Sequence, residues 1–151
     1  MNNNNNYYEE MKSWVPICKM ENADDVLYQD RIKKAYECIL PNNDLVLIPY
    51  VGLEEIVEYD YPELIALCPV TFLPDIYKVK IRFIPNKHVP ELKSLKYYYM
   101  DYLKVPISHE HLASKIYNDF KKQINPKKIY LELFTNVRGG LITNIEIGNI
   151  C

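Results

Sequence analysis

Residues 76–84 constrain this chain more than any other stretch. Tyr77, Val79, Ile81 and Phe83 alternate with Lys78, Lys80 and Arg82. A period of two places every second side chain on the same side of an extended backbone, so this segment is a strand with one buried and one wet face. A second alternation follows near the end. Ile129, Leu131 and Leu133 mark a strand over about 128–135, and Leu141, Thr143, Ile145 and Ile147 mark another over about 140–148. The short Asn136–Gly139 connection predicts an antiparallel hairpin between them.

A helical period lies between these strands. Leu112, Ile116 and Phe120 recur every four residues, Ser108 stands at the cap position, and Asn125-Pro126 closes the run near residue 123. A further helix is predicted over 91–103, with Pro90 just before its first turn. Residues 45–51 and 55–67, rich in Val, Ile, Leu and Tyr, read as extended segments. From residue 45 onward the order is strand, strand, helix, helix, strand, strand (ββααββ). An antiparallel sheet with both helices on one face, an α+β architecture, satisfies that order.

The chain has 151 residues, enough for one domain that buries roughly two-thirds of its unfolded surface. Residues 1–44 read as an appended arm rather than a second domain. They hold a polar, low-complexity start (MNNNNNYYEEMK), an apolar anchor at Trp14-Val15-Pro16-Ile17, and a helix over 22–39 capped by Asn22 or Asp24. Residues 45–151 form the expected catalytic domain. A net charge of −2, from 18 basic and 20 acidic residues, makes no demand for nucleic acid as a partner. Met1 leads into asparagines rather than a basic stretch and an apolar run, and no run approaches the ~20 apolar residues of a bilayer span. The expected location is therefore the cytoplasm, with Cys18, Cys38, Cys68 and Cys151 as reduced thiols. None of these cysteines has the Cys-x-x-Cys spacing of a zinc or dithiol site.

Four segments carry candidate chemistry. The first, Leu67-Cys68-Pro69-Val70-Thr71-Phe72-Leu73-Pro74-Asp75, sets a thiol and a carboxylate seven residues apart in a loop stiffened by prolines, directly before a strand. A thiolate is a strong nucleophile, and a neighbouring acid moves the proton that its attack creates. The plainer reading of Cys68 is a small buried hydrophobe. In the second, Glu91-Leu92-Lys93-Ser94-Leu95-Lys96-Tyr97-Tyr98, a helix brings Lys93, Lys96 and Tyr97 to one side, where two ammonium groups can grip a phosphate. An ordinary solvated helix face explains the same pattern. The third is Ser108-His109-Glu110-His111. Glu110 is either a dipole-stabilised residue of the first helical turn or an acceptor for a purine-like edge. His109 and His111 point about 200° apart on a helix, so no shared metal is expected. The fourth, Asn136-Val137-Arg138-Gly139-Gly140, offers a glycine turn with an arginine beside it that can reach a phosphate or carboxylate.

Taken together, these segments resemble the single-module NADPH-dependent 7-cyano-7-deazaguanine (preQ0) reductases, the QueF family, over about residues 54–148. Cys68-Pro69-Val70-Thr71 with Pro74-Asp75 is similar to the family's catalytic loop. Glu91 to Tyr98 matches its NADPH-associated signature at every position, and His109-Glu110 and Arg138-Gly139-Gly140 match in order and spacing. The resemblance implies a tunnelling fold in a ring-shaped homo-oligomer with active sites between subunits. It implies that Cys68 adds to the nitrile carbon as a covalent thioimide, that Asp75 delivers protons with help from His109, and that Glu91 and Glu110 bind the deazaguanine. It further implies that Lys93, Ser94, Lys96, Arg138 and Gly139 hold NADPH, with no metal in the site.

This chain departs from the family's pattern at two places. Phe72-Leu73 stands where the family usually has Gly-Gln, and His111-Leu112-Ala113 stands where it often has a second cysteine. Two other functions fit part of the pattern. A related archaeal amidinotransferase keeps the cysteine and aspartate but adds ammonia to preQ0 already in tRNA. A non-catalytic tunnelling-fold protein holds a purine-like ligand without turnover.

Overall fold

The computed structural model describes residues 44–151. The arm, the 22–39 helix, Cys18 and Cys38 lie outside the described residues. In chain order the elements are β1 (Leu47–Pro49), β2 (Val57–Leu67), β3 (Pro74–Ile84), β4 (His88–Pro90), α1 (Leu92–Met100), a 3-10 turn (Asp101–Lys104), α2 (His109–Ile124), β5 (Lys128–Thr135) and β6 (Asn144–Asn149). Strands β2, β3, β5 and β6 form one four-stranded antiparallel sheet in the order β2-β3-β5-β6.

The register explains the alternation in β3. Tyr59, Ile81, Leu131 and Ile147 stand side by side across the sheet, as do Tyr61, Val79, Leu133 and Ile145. This face carries both helices: Tyr61 stacks on Tyr99 of α1 at 4.8 Å, and Phe83 packs edge-on against Phe120 of α2 at 5.1 Å. Leu112, Ile116 and Phe120, the stripe read from the sequence, are buried. Removing these side chains from water is the main stabilisation of the fold. The other face bears the charges, with Lys78 bridging Asp60 at 2.9 Å and Arg82 facing Glu58 at 3.4 Å across β2 and β3.

Edge strand β2 contains a bulge between Tyr61 and Leu64. Pro62 cannot donate to a ladder, which suits it to an edge. The extra residue switches the inward-facing set from Tyr59 and Tyr61 to Leu64 and Ala66, both fully buried. That switch aims the end of β2, and with it Cys68, back towards the core.

The structure differs from the sequence reading in three details. The 45–51 segment joins no large sheet; its short β1 pairs with β4, a strand the sequence reading did not anticipate because three residues show no periodicity. The 91–103 helix tightens to a 3-10 turn after Met100, where Tyr102 turns fully into the core. The final strand begins at Asn144, not at 140. Gly139 and Gly140 take φ of 56° and 83°, closing a two-residue turn between Arg138 and Leu141 that Val137, Leu141 and Ile142 flank as exposed loop.

Gly148 sits in β6 at φ 87°, and a Cβ there would lie 2.3 Å from the Ile129 carbonyl oxygen and 2.9 Å from the Tyr117 ring. The oxygen belongs to the paired strand and cannot retreat without breaking the β5–β6 ladder. Gly148→Ala is therefore expected to cost about 3 kcal/mol. Urea unfolding would measure it, and a loss under about 1 kcal/mol would show that the ladder adapts.

Candidate active site

Cys68 follows directly on β2. The Leu67 N–H donates to the Val105 carbonyl and the Ile107 N–H to the Leu67 carbonyl, which ties the loop to the segment leading into α2. The loop then closes on itself, with Phe72 N–H donating to the Cys68 carbonyl and Cys68 N–H to the Leu73 carbonyl, both at 2.9 Å. Inside it, the Val70 and Thr71 N–H groups point at Cys68 Sγ from 3.3 Å each. The thiol is 5% exposed. Burial pushes its pKa up, but the Thr71 hydroxyl, the Thr71 and Val70 N–H groups and the Arg138 guanidinium outweigh that, and the thiol is held below its ordinary value.

Phe72 pinches this loop at φ 57°, in the left-handed region. A side chain there costs roughly 1–2 kcal/mol, which gives the glycine usual at this place in the resembled family a physical reason. Phe72→Gly is expected to be about 1 kcal/mol more stable than Phe72→Ala, since both lose the ring and only glycine relieves the backbone. Thermal or urea melts of the two variants would check it; alanine equal to glycine would mean that the loop carries no strain.

Asp75, the second residue of β3, is 8% exposed and receives a two-pronged ion pair from Arg138 Nη1. Arg138 Nη2 reaches Thr71 Oγ1 at 3.1 Å. Tyr77, two residues along β3, meets His109 Nδ1 at 2.9 Å. Burial, then the charge of Asp75, keeps the Tyr77 hydroxyl far above its usual range, so it stays a neutral phenol. These groups border an open cleft of about 450 Å³ lined by Thr71, Leu73, Asp75, His109, Thr135 and Arg138 among others.

Four of the residues singled out in the sequence thus come together: Cys68, Asp75, His109 and Arg138. Glu110 is exposed in the first turn of α2 beside them, and Gly139 is exposed in the turn that presents Arg138. His111 turns to Ser108 instead, 2.5 Å from its Oγ. Thr71 and Tyr77 were not given a role by the sequence reading, although Thr71 lies in the quoted loop and Tyr77 in the inward-facing set of β3.

The signature helix is elsewhere. Glu91 caps α1, its carboxylate accepting from Lys93 and Ser94 N–H at 2.8 Å each, and these bonds lower its pKa. The Ser94 hydroxyl accepts from Val46 N–H and donates to the Glu91 carbonyl. Lys93 and Lys96 are exposed, and neither takes part in an ion pair among the described residues. Asp75 stands second in β3 and Ile84 ends it, about 30 Å along at strand rise. The α1 N-terminus follows β4, beyond that far end, so within one chain Glu91 and Lys93 stand at the opposite end of the sheet from Cys68.

Chemically, the cluster can add sulfur to an electrophilic carbon and move a proton to the atom that gains charge. Fold and cluster together define a class, an α+β domain with an acidified cysteine beside an ion-paired aspartate at one end of an antiparallel sheet. The chain belongs to the QueF family: residues 74–150 match the model for the QueF-like protein. It is 36% identical over 96 residues to the NADPH-dependent 7-cyano-7-deazaguanine reductase of Chloroherpeton thalassium, covering 64% of this chain and 83% of that one. It is 43% identical over 96 residues to the protein of the same name from Thermoanaerobacter pseudethanolicus, covering 64% and 72%. A crystal structure of the archaeosine synthase QueF-Like in the apo form superposes with a TM-score of 0.60 at 20% identity, covering 64% of this chain and 95% of that one. That likeness shows the fold, an antiparallel α+β sheet with two helices on one face, as the sequence reading expected.

Proposed function

We propose that this chain is a cytoplasmic NADPH-dependent 7-cyano-7-deazaguanine reductase, which converts the nitrile of preQ0 to the primary amine preQ1 in queuosine biosynthesis. The observation that carries it is the acidified Cys68 beside Asp75, in a chain whose relatives bear that name. Cys68 sulfur bonds to the nitrile carbon, and a π pair of the C≡N bond moves to nitrogen. That nitrogen takes the proton that left the thiol, passed through Asp75, and the product is a thioimide. His109, oriented by Tyr77, assists at the same end of the sheet. NADPH, when bound, supplies a hydride to the reacting carbon in each of two successive reductions, with a proton each time to nitrogen. The first reduction leaves the carbon bonded to both sulfur and an amino nitrogen. The nitrogen lone pair then forms a C=N bond, Cys68 leaves as its thiolate and the nitrogen gives up a proton, and the second reduction acts on the resulting imine.

Glu110, exposed beside the cleft, accepts from the N–H groups of the deazaguanine, and Glu91 contacts the same ring. Lys93 and Lys96 are exposed ammonium groups without ion-pair partners among the described residues, which suits them to the phosphates of NADPH, with Ser94, Gly139 and Arg138 completing that site. Because Glu91 and Lys93 stand a strand's length from Cys68 in one chain, this assignment needs the α1 helix of a second copy at the Cys68 cleft. We therefore include a homo-oligomer with sites between subunits, and a ring is the closed form such head-to-tail contacts take. Neither tRNA nor a metal enters this scheme.

The test is to mix the pure protein with preQ0 and NADPH under reducing conditions and follow absorbance near 340 nm. Two NADPH oxidised per preQ0 is the expected result. A Cys68 adduct with NADPH untouched would overturn it in favour of the amidinotransferase, and preQ0-modified tRNA with ammonia would then be the substrate to try. Binding of preQ0 with neither adduct nor oxidation would leave a ligand-holding protein.

A further inference from the structure

Thr71 Oγ1 has an unusual set of partners. It accepts from Arg138 Nη2 at 3.1 Å and from Leu73 N–H at 3.3 Å. Those two donors occupy both lone pairs of the hydroxyl, leaving its single proton as its only remaining hydrogen-bonding capacity. The Thr71 backbone N–H is already on Cys68 Sγ at 3.3 Å, so the side chain of the same residue springs from a backbone fixed beside that sulfur. Arg138, which supplies one of the two donors, is itself locked by its two-pronged pair with Asp75.

We infer that Thr71 is a positioning residue: with its oxygen filled by Arg138 and Leu73, its O–H is directed onto Cys68 and holds the sulfur as the thiolate that attacks. The inference deepens the proposed reaction, since it concerns the thiol that reading uses, but it makes a claim about Cys68 that needs no substrate. A guanidinium next to a buried thiolate acts through its charge; here it also acts through a hydroxyl whose orientation it sets. Asp75, by anchoring Arg138, keeps the relay aligned from the other side. When sulfur bonds to the nitrile carbon its negative charge passes to the nitrogen, so the Thr71 O–H favours the free thiolate and releases it as the adduct forms.

The experiment is the pH dependence of Cys68 alkylation by iodoacetamide, in which a sulfur–carbon bond forms and iodide leaves. It is read by mass spectrometry on the Cys68 peptide so that the other thiols do not contribute. Neither preQ0 nor NADPH is present. Thr71→Val keeps the shape and removes the hydroxyl; Thr71→Ser keeps the hydroxyl. The expected result is an apparent pKa about one unit higher in Thr71→Val, so that alkylation at pH 7 slows about tenfold and converges with the wild type at high pH, while Thr71→Ser follows the wild type. A Thr71→Val profile that overlies the wild type would overturn the inference. So would slower alkylation at every pH without a shift of midpoint, which means a displaced loop, or a Thr71→Ser profile that follows Thr71→Val. A shifted midpoint in a protein that fails to oxidise NADPH with preQ0 would retain the role of Thr71 and reject the reductase.

Discussion

Cys68→Ala is expected to lower preQ0-dependent NADPH oxidation by at least about 10⁴-fold, because no other group at the cleft can form the covalent adduct. Cys151, the other described cysteine, is exposed just after β6, whose last residue Asn149 pairs with Ile129 at the N-terminal end of β5, the end of the sheet away from Cys68, so it cannot substitute. The fold survives the change at a modest cost. Alanine fits where a thiol was, but the Val70 and Thr71 N–H groups lose their acceptor, an effect of about 1–2 kcal/mol. Turnover, the mass of the preQ0 adduct and a urea melt separate the contributions: the adduct disappears, preQ0 still binds, and the melt shifts slightly. Turnover within tenfold of the wild type would remove Cys68 as the nucleophile and with it the proposed chemistry.

Asp75→Asn is the next largest expected effect, a loss of about 10²–10⁴-fold in turnover. Asparagine is nearly isosteric and can still accept from Arg138, so the cleft keeps its shape. It can neither take the thiol proton nor return it to the nitrile nitrogen, and it leaves the guanidinium without its counter-charge. The weakened pair is expected to cost about 2 kcal/mol, less than a fully buried pair would because the Arg138 side chain is 35% exposed. Stability and catalysis are distinguishable by assaying well below the melting temperature of the variant. A variant that is destabilised yet retains most of its turnover would make Asp75 an anchor for Arg138 rather than a proton carrier.

The local part of this protein was legible in its sequence. The period of two in β3 marked its inward face, the period of four in α2 marked the stripe that packs on that face, and Ser108 marked the start of α2, its hydroxyl accepting from the His111 N–H. The Cys68–Asp75 segment could be read as a site because one short connection between two paired strands begins at Cys68 and leads straight to Asp75, the second residue of β3. The start of β6 was not legible because Leu141 and Thr143 continue the alternation formally, while the tight turn falls at Gly139-Gly140 and the ladder with β5 resumes only at Asn144.

What lay beyond the sequence was partnership over long separations. Arg138 could be read as a phosphate or carboxylate ligand; the antiparallel register of β3 with β5, which brings Tyr77 opposite Thr135, delivers the following turn to Asp75 across 63 residues of chain. The same register separates the signature helix from Cys68, although the two are near in sequence, because β3 carries the chain the full length of the sheet before α1 begins. Phe72 at positive φ, the bulge at Pro62 and the pairing of β1 with β4 arise in the same way, from loops and edges that must meet a sheet already in register. Periodicity decides which face of an element is buried, since it depends only on neighbours along the backbone. Which polar groups meet at the end of the sheet depends on strand order and register, a choice made when the whole core packs at once.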